Sequence, residues 1–273
     1  MQLIVVVRYL PAMKRSTWLM IVCGFGHSGL AQEVRIDTVK AQQPWYQKEL
    51  YTFPKVVMPK KPTVAAAINK DLCIDLLEVD PDTTAPGQLF NQVWGDTVSG
   101  WMPRLNSVSW YTERPFKNVL VVEFEAEGCG AYCEWSTTYR IYDLRSGHRL
   151  ELDSLLTPEG MAVVLDTIDA RWRRIVSEEI RTWEDAVRWD ATEHQELYRE
   201  GLAMYRDCLD ERPKARPYVG DIKPWSDALR CWVARCSAHV NRELDELDAV
   251  EVDLSYRWLS PYLRPEIRAL FKH

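Results

Sequence analysis

Apolar residues recur with helical spacing in three segments of the chain. A helix is predicted from Thr63, a longer one from Thr157, where a cap residue precedes Pro158, and a third after Asp190. The second of these has the most regular apolar stripe, formed by Met161, Val164, Leu165, Ile168, Trp172, Ile175, Val176, Ile180 and Trp183. A stripe of this kind is typical of a helix that covers a hydrophobic core.

Other segments alternate between apolar and polar residues with a period of two, which predicts strands. The predicted strands are Gln47–Met58, Ser107–Thr112, Asn118–Glu127, Glu134–Asp143, Leu229–Cys236 and Val250–Tyr256. Within the third, Val122 and Phe124 alternate with Glu123, Glu125 and Glu127, so one buried and one solvated face are expected. The consecutive strands between residues 107 and 143 predict an antiparallel meander.

Strands and helices are segregated along the sequence, which favours the α+β fold class over a parallel doubly wound sheet. We therefore predict an antiparallel sheet (meander) packed against two long helices, followed by a short C-terminal helix from Trp258 to Phe271. The chain has no internal repeat and no Gly/Ser linker, so residues 32–273 are predicted to form a single domain.

The first 31 residues have the pattern of a secretory signal peptide. A basic pair at Lys14-Arg15 precedes an apolar stretch, and small residues at Gly29 and Ala31 predict cleavage before Gln32. Met13 is the start that would place the basic residues at the usual position. We therefore expect a periplasmic or secreted protein.

Charge and hydropathy exclude two classes of protein. Without residues 1–31 the chain has 31 basic and 40 acidic residues, a net charge of −9. This acidic balance argues against nucleic acid as a partner, because phosphate binding needs clustered Lys and Arg. No uncharged apolar run is long enough to span a membrane as a helix.

Six cysteines remain after the predicted cleavage, namely Cys73, Cys129, Cys133, Cys208, Cys231 and Cys236. An even number in an oxidising compartment favours disulfides, although six cysteines allow fifteen pairings and each could instead be a buried free thiol. Cys231 and Cys236 lie five residues apart on a predicted strand and should face opposite sides. The disulfide candidates are Cys129 with Cys133 and Cys208 with Cys236, with Cys73 and Cys231 as the residual pair. Chain entropy assigns about 2 kcal/mol to the first ring and about 3.6 kcal/mol to the second.

Three groups of residues carry candidate chemistry. Cys236 and His239 have metal-ligand spacing, but no second pair accompanies them, so we predict neither a metal nor another cofactor. Glu127 or Glu134 could serve a cell-wall glycan hydrolase, which needs two acids across a cleft. Four tryptophans near predicted loops or strand edges could stack on sugars or on a partner protein, namely Trp94, Trp101, Trp110 and Trp135.

The segment from Glu127 to Glu134, followed by Tyr139-x-Ile141-Tyr142-Asp143-Leu144 and a turn at Gly147, resembles a known family of secreted domains. That family forms the extracellular part of RsiV-type lysozyme-sensing anti-sigma factors and the N-terminal part of PdaC-type peptidoglycan deacetylases. The resemblance implies an exported α+β domain of unknown function. The family's Gly-Gly-Ala-His loop is replaced here by residues 130–133, so lysozyme recognition is not transferred to this chain.

The sequence favours a non-catalytic exported domain that binds a cell-envelope component, either a protein or a peptidoglycan fragment. The predicted contact region is the Cys129–Cys133 loop with its neighbours Tyr132, Glu134 and Trp135. The alternative from another class is a cell-wall glycan hydrolase that uses Glu127 or Glu134.

Overall fold

The described residues fall between Val34 and Phe271, within the unit Val34–His273. The computed structural model describes residues 34–42, 50–85, 88–90, 107–129, 133–189, 194–211, 219–237, 247 and 249–271. The predicted signal peptide, residues 1–31, lies outside the described residues.

Eight strands and six helices are described in this unit. The strands are β1 (Arg35–Gln42), β2 (Leu50–Val57), β3 (Ser107–Phe116), β4 (Val119–Cys129), β5 (Cys133–Asp143), β6 (Val219–Pro224), β7 (Ala228–Val233) and β8 (Val250–Ser255). The helices are α1 (Pro62–Leu77), α2 (Leu152–Leu155), α3 (Pro158–Trp189), α4 (Gln195–Glu211), α5 (Tyr256–Leu259) and α6 (Pro265–Arg268). None of these helices is both long enough and apolar enough to cross a membrane.

The strands form three antiparallel sheets in the order β1-β2, β3-β4-β5 and β6-β7-β8. The predicted α+β class is confirmed, and so is the predicted meander, which is the central sheet β3-β4-β5. Strands β1 and β6 were not predicted. Strand β2 lies beside β3, and β6 lies beside β5, so the central sheet has another strand along each edge.

The central sheet separates two hydrophobic clusters, because successive residues of β4 face opposite sides. Leu120 and Val122 belong to the cluster that β2 and α1 cover. Val119 and Val121 belong to the cluster formed with α3, α4 and the third sheet. The predicted pair of long helices is α3 and α4, and the 16-residue α1 packs on the opposite face as a third.

The C-terminal segment fixes the start of α3. Thr157 caps the helix as predicted, since its side chain accepts a hydrogen bond from the Gly160 amide at 3.0 Å. A Cβ at Gly160 would lie 2.7 Å from both Cβ and the backbone oxygen of Tyr262, so only glycine permits this close approach. The prediction of one C-terminal helix over 258–271 is wrong. Pro261 and Pro265 lack the amide hydrogens that such a helix needs, and the segment forms α5 and α6 instead.

Of the cysteines whose side chains are described, two form a disulfide and two are free thiols. Cys208 and Cys236 form a disulfide that ties α4 to the segment after β7. The predicted residual pair, Cys73 with Cys231, is wrong. Both are buried free thiols, and they lie in the two clusters on opposite sides of the central sheet, where they cannot meet.

The backbone of Cys129 pairs directly with that of Cys133 across β4 and β5. Directly opposed residues of antiparallel strands have Cα separations of about 4.5 to 5.5 Å, within the range that a disulfide requires. The side chains of both residues lie outside the described part of the structure, so this disulfide stays a prediction.

Candidate functional site

A groove runs along one face of β5, beside strand β6. Trp135, Thr137, Tyr139 and Ile141 are alternate residues of β5 and therefore point to the same face. Two adjoining cavities lie along them. The first, the aromatic cavity, has a volume of about 400 Å³ and is lined by Trp135, Thr137 and Tyr139. The second, the apolar cavity, has about 500 Å³ and is lined by Tyr139 and Ile141. We call the two together the β5 groove.

Aromatic rings form the walls of the aromatic cavity. Trp135 is 59% exposed, which is unusual for so large an apolar side chain. The rings of Tyr139 and Trp232 are stacked with centroids 4.6 Å apart, which joins β5 to β7. The indole Nε1 of Trp232 donates to Glu251 Oε1 at 3.2 Å. The aromatic cavity is therefore lined by the exposed indole of Trp135, the stacked rings of Tyr139 and Trp232, and the carboxylate of Glu251.

A buried lysine holds this wall in place. The side chain of Lys223 on β6 is 4% exposed, and its Nζ lies 2.7 Å from Glu123 Oε2 and 3.1 Å from Glu113 Oε1. The same Nζ lies 5.0 Å from the ring centroid of Tyr139 and 4.7 Å from that of Trp225. A charge can be buried at this depth only because carboxylates and ring faces replace its water.

This contact corrects one expectation from the sequence. Alternation predicted Glu123 on a solvated face, but its side chain is only 18% exposed because Lys223 covers it. Tyr111 and Tyr139 flank Glu123 in the register of β3, β4 and β5. The acidic face of the central sheet is therefore partly closed by the third sheet.

Protonation in the groove depends on burial. Burial, together with the negative charge of Glu123, raises the pKa of Tyr139 to about 12. Its hydroxyl therefore remains protonated at neutral pH and can donate a hydrogen bond. Burial also raises the pKa of Asp221 above its ordinary value, although the positive charge of Arg140 opposes this shift. Tyr139 and Asp221 line both cavities, so each can contact a ligand in either one.

The apolar cavity has aliphatic walls and a charged rim. Its walls include Leu152, Met161 and Leu165, which are only partly buried and therefore reach open space. Its rim includes Arg149, which pairs with Asp75 at 2.6 Å and with Glu151 at 3.0 Å. Two further acids line the cavity, Asp153 and Asp221.

Behind the rim, Asp75 of α1 accepts hydrogen bonds from Arg149 and from Arg140 of β5. Burial opposes ionisation of Asp75, but these two hydrogen bonds outweigh it and lower its pKa below the ordinary value. Arg140 also lies 3.4 Å from Asp221. This network fixes α1, β5 and β6 to one another at the base of the groove.

Only some of the predicted contact residues are described by the structure. Trp135 lies at the aromatic cavity, as a contact residue would. Tyr132 lies outside the described residues, as do Trp94, Trp101 and His239. Glu134 pairs with Gly128 in the backbone register, and its side chain is not described. Trp110 packs against the cluster under α1.

The register also bears on the hydrolase alternative. Glu127 pairs with Trp135, whereas Glu134 pairs with Gly128. Because successive positions of a strand face opposite sides, positions 127 and 134 belong to opposite faces of the sheet. Glycosidic cleavage requires two acids that face each other across a cleft, whereas these two backbone positions lie on alternate faces. No group of three or more metal-ligating side chains occurs within the described ranges.

The sequence prediction missed the residues that β6 contributes, Asp221 and Lys223. Strand β6 is short, contains Gly220 and ends at Pro224, so its alternation was not recognised. The available signal was the alternation itself, because Asp221 and Lys223 are polar while Ile222 between them is apolar.

Comparisons with known proteins identify the fold. No family model matches the sequence, and no curated protein matches it. A DUF3298 family protein from Pseudomonas aeruginosa PAO1 has a similar structure, with a TM-score of 0.51, 14% identity and coverage of 88% of this chain and 98% of that chain. A DUF3298 family member from Bacteroides fragilis gives a TM-score of 0.56 at 13% identity, covering 89% of this chain and 98% of that chain. The chain therefore has a DUF3298-like fold.

Proposed function

We propose that this chain is a non-catalytic, exported domain that binds a glycan of the cell envelope in the β5 groove. The observation that carries the proposal is the exposed indole of Trp135 at a cavity walled by further aromatic rings. An exposed indole presents a flat apolar face on which the C–H bonds of a sugar ring can pack by dispersion. The position of this indole beside a cavity, rather than its exposure alone, favours a role in ligand contact.

Polar groups around the indole suit sugar hydroxyls. The carboxylates of Asp221 and Glu251 can accept hydrogen bonds, and the protonated hydroxyl of Tyr139 can donate one. The volume of about 400 Å³ falls within the range of small-molecule sites, about 300 to 1,000 Å³. A concave site with a few convergent polar groups favours a glycan over a flat protein surface.

Export is supported by two independent features. The first is the signal-like sequence at residues 1–31. The second is the disulfide between Cys208 and Cys236, since disulfides persist in oxidising compartments and are rare in the cytosol. Fractionation of cells followed by intact-mass measurement tests this part. We expect a periplasmic or secreted chain that begins at Gln32, whereas a full-length reduced chain in the cytosol would contradict export.

Binding is tested with purified peptidoglycan and with soluble N-acetylhexosamine oligomers, by co-sedimentation and calorimetry. We expect Trp135→Ala to lower affinity at least about tenfold, as removal of a central aromatic contact does. Trp189→Ala is the matched control, because Trp189 is 78% exposed and lines neither cavity of the groove. The proposal is wrong if the native chain binds no glycan, or if the two variants bind equally well.

A further inference from the structure

Two carboxylates share the guanidinium of Arg140 at the base of the β5 groove, and they hold it unequally. Asp75 of α1 accepts a hydrogen bond from Nε of Arg140 and another from Nη1 of Arg149 at 2.6 Å. Asp221 of β6 lies farther from the same guanidinium, with 3.4 Å between its Oδ1 and Nη1 of Arg140. Asp75 is therefore closely paired with two cations, whereas Asp221 is loosely paired with one that it shares.

Asp221 also lies where the two cavities of the groove meet. It lines both of them, and its side chain is 23% exposed. The backbone amide of Tyr139 donates a hydrogen bond to its carboxylate, which connects Asp221 to the wall of the aromatic cavity. A change in the charge of Asp221 therefore acts directly on a ligand in the groove.

Within the described part of the chain, titratable and charged groups face Asp221 from the elements around it. They are Arg140 and Tyr139 from β5, Asp75 from α1, Arg149 and Glu151 from the segment before α2, Asp153 from α2 and Glu251 from β8. Helix α3 contributes Met161 and Leu165, which are uncharged. Arg149 is paired with Asp75 and Glu151, so Arg140 is the principal cation that compensates Asp221.

Because of this difference in pairing, Asp75 and Asp221 change charge in different pH ranges. Burial raises the pKa of Asp221 above its ordinary value of about 4, and the charge of Arg140 opposes this only in part. Burial also opposes ionisation of Asp75, but its hydrogen bonds with Arg149 and Arg140 lower its pKa below the ordinary value. Acidification therefore protonates Asp221 first, while Asp75 stays ionised and keeps Arg140 in place.

Protonation of Asp221 does not weaken the fold. The pKa of Asp221 is higher in the folded chain than in the unfolded chain, so the folded chain takes up this proton more readily. The contribution of Asp221 to stability therefore increases as pH falls through its folded pKa, which is opposite to the behaviour of Asp75. The groove can change its charge in this pH range without unfolding of the chain.

Resting on the function proposed above, we propose that Asp221 makes glycan binding in the β5 groove dependent on pH, with Arg140 and Asp75 as the fixed base beside it. Ionised Asp221 accepts a charge-assisted hydrogen bond from a sugar hydroxyl, and after protonation a weaker neutral hydrogen bond takes its place. The groove therefore binds its ligand at neutral pH and releases it in acid.

The first test is an NMR titration of the native chain without ligand between pH 7.5 and pH 3. The amide signal of Tyr139 reports the ionisation of Asp221, because this amide donates to the carboxylate. We expect the signal to shift with a midpoint above about 4, and Asp221→Asn should abolish the shift. Asparagine keeps the shape of the side chain, and Arg140 keeps Asp75 as a partner, so the variant should fold.

The second test is calorimetry with N-acetylhexosamine oligomers at pH 7 and pH 4. We expect the native chain to bind at least about fivefold more weakly at pH 4, because a neutral hydrogen bond replaces a charge-assisted one. The affinity of Asp221→Asn should change less than about twofold between the two pH values. Asp153→Asn is the matched control, since Asp153 is an exposed acid that lines the apolar cavity but not the aromatic one, and it should keep the pH dependence of the native chain.

The outcomes separate this inference from the function on which it rests. If the oligomers bind equally well at both pH values, or if Asp221→Asn keeps the pH dependence of the native chain, the inference is overturned while glycan binding stands. A midpoint at or below about 4 for the Tyr139 amide also overturns it, and this measurement needs no variant. If no oligomer binds at either pH, the proposed function fails, and its regulation fails with it.

Discussion

The buried ammonium of Lys223 lies behind the wall of the β5 groove, and removing it should destabilise the fold strongly. We consider the substitution Lys223→Met, which keeps a long unbranched side chain, one atom shorter than that of lysine, and removes its charge. The carboxylate of Glu123, 2.7 Å from the lysine nitrogen and 18% exposed, would then lack its principal counter-charge. Glu113 would lose the same partner, but at 43% exposure it remains largely hydrated.

The expected loss of stability comes mainly from Glu123, because it is less exposed than Glu113. Removing one partner of a buried pair costs about 3 to 5 kcal/mol, because the other charge remains desolvated. The loss of the contacts with the rings of Tyr139 and Trp225 adds about 0.5 to 2 kcal/mol. Partial rehydration of Glu123 offsets some of this cost. We therefore expect Lys223→Met to lower the free energy of unfolding by about 3 to 5 kcal/mol.

Urea denaturation followed by circular dichroism measures this change. Lys55→Met is the matched control, because Lys55 is also a strand lysine but its side chain is exposed, so the loss should stay below about 0.5 kcal/mol. In the double variant Lys223→Met with Glu123→Leu, apolar residues replace both charges, which should recover most of the stability. The reasoning is refuted if Lys223→Met costs no more than the control, or if the double variant loses the sum of the two single losses.

Two further predictions concern the groove's base and the disulfide. Asp75→Asn should lower stability by about 2 kcal/mol at pH 7, since hydrogen bonds to charged groups contribute about 1.5 to 3 kcal/mol. Because the pKa of Asp75 is lowered in the folded state, this contribution is fully present above the unfolded value of about 4 and is lost as pH falls through the folded pKa. Unfolding curves of the native chain and of Asp75→Asn between pH 3 and pH 7 test this pH dependence. A stability difference between the two that grows toward low pH would contradict it. Cys208→Ala with Cys236→Ala opens a ring with a sequence separation of 28, which chain entropy values at about 3.6 kcal/mol. A denaturation midpoint that the double variant leaves unchanged would be inconsistent with this stabilisation.

Local patterns in the sequence predict much of the fold but little of the candidate site. The helical stripe through Trp172 and Trp183 predicted α3, and both residues are buried. Alternation likewise predicted the central meander, in which Trp135 and Tyr139 are alternate residues of one strand. These features depend on residues a few positions apart, whose geometry within a helix or strand is fixed.

The site needed information that no local pattern contains. Of the predicted contact residues, Trp135 is the one whose side chain is described, and it lies at the groove, whereas Asp221 and Lys223 were missed with the short strand β6. Nor did alternation show that Glu123 is covered. Its partner Lys223 lies 100 residues away, and the strands that carry them come together only when the third sheet docks.

The cysteines also show the difference between what local sequence patterns predict and what tertiary contacts decide. Their even number suggested complete pairing, but Cys73 and Cys231 face separate clusters and remain free thiols. The sequence by itself determined the three long helices, most strands, the acidic charge and the signal-like start, because periodicity and composition are properties of neighbouring residues. Only the tertiary structure decided which cysteines meet, which charge is buried and where the groove lies, because each of these depends on contacts between segments far apart in the chain.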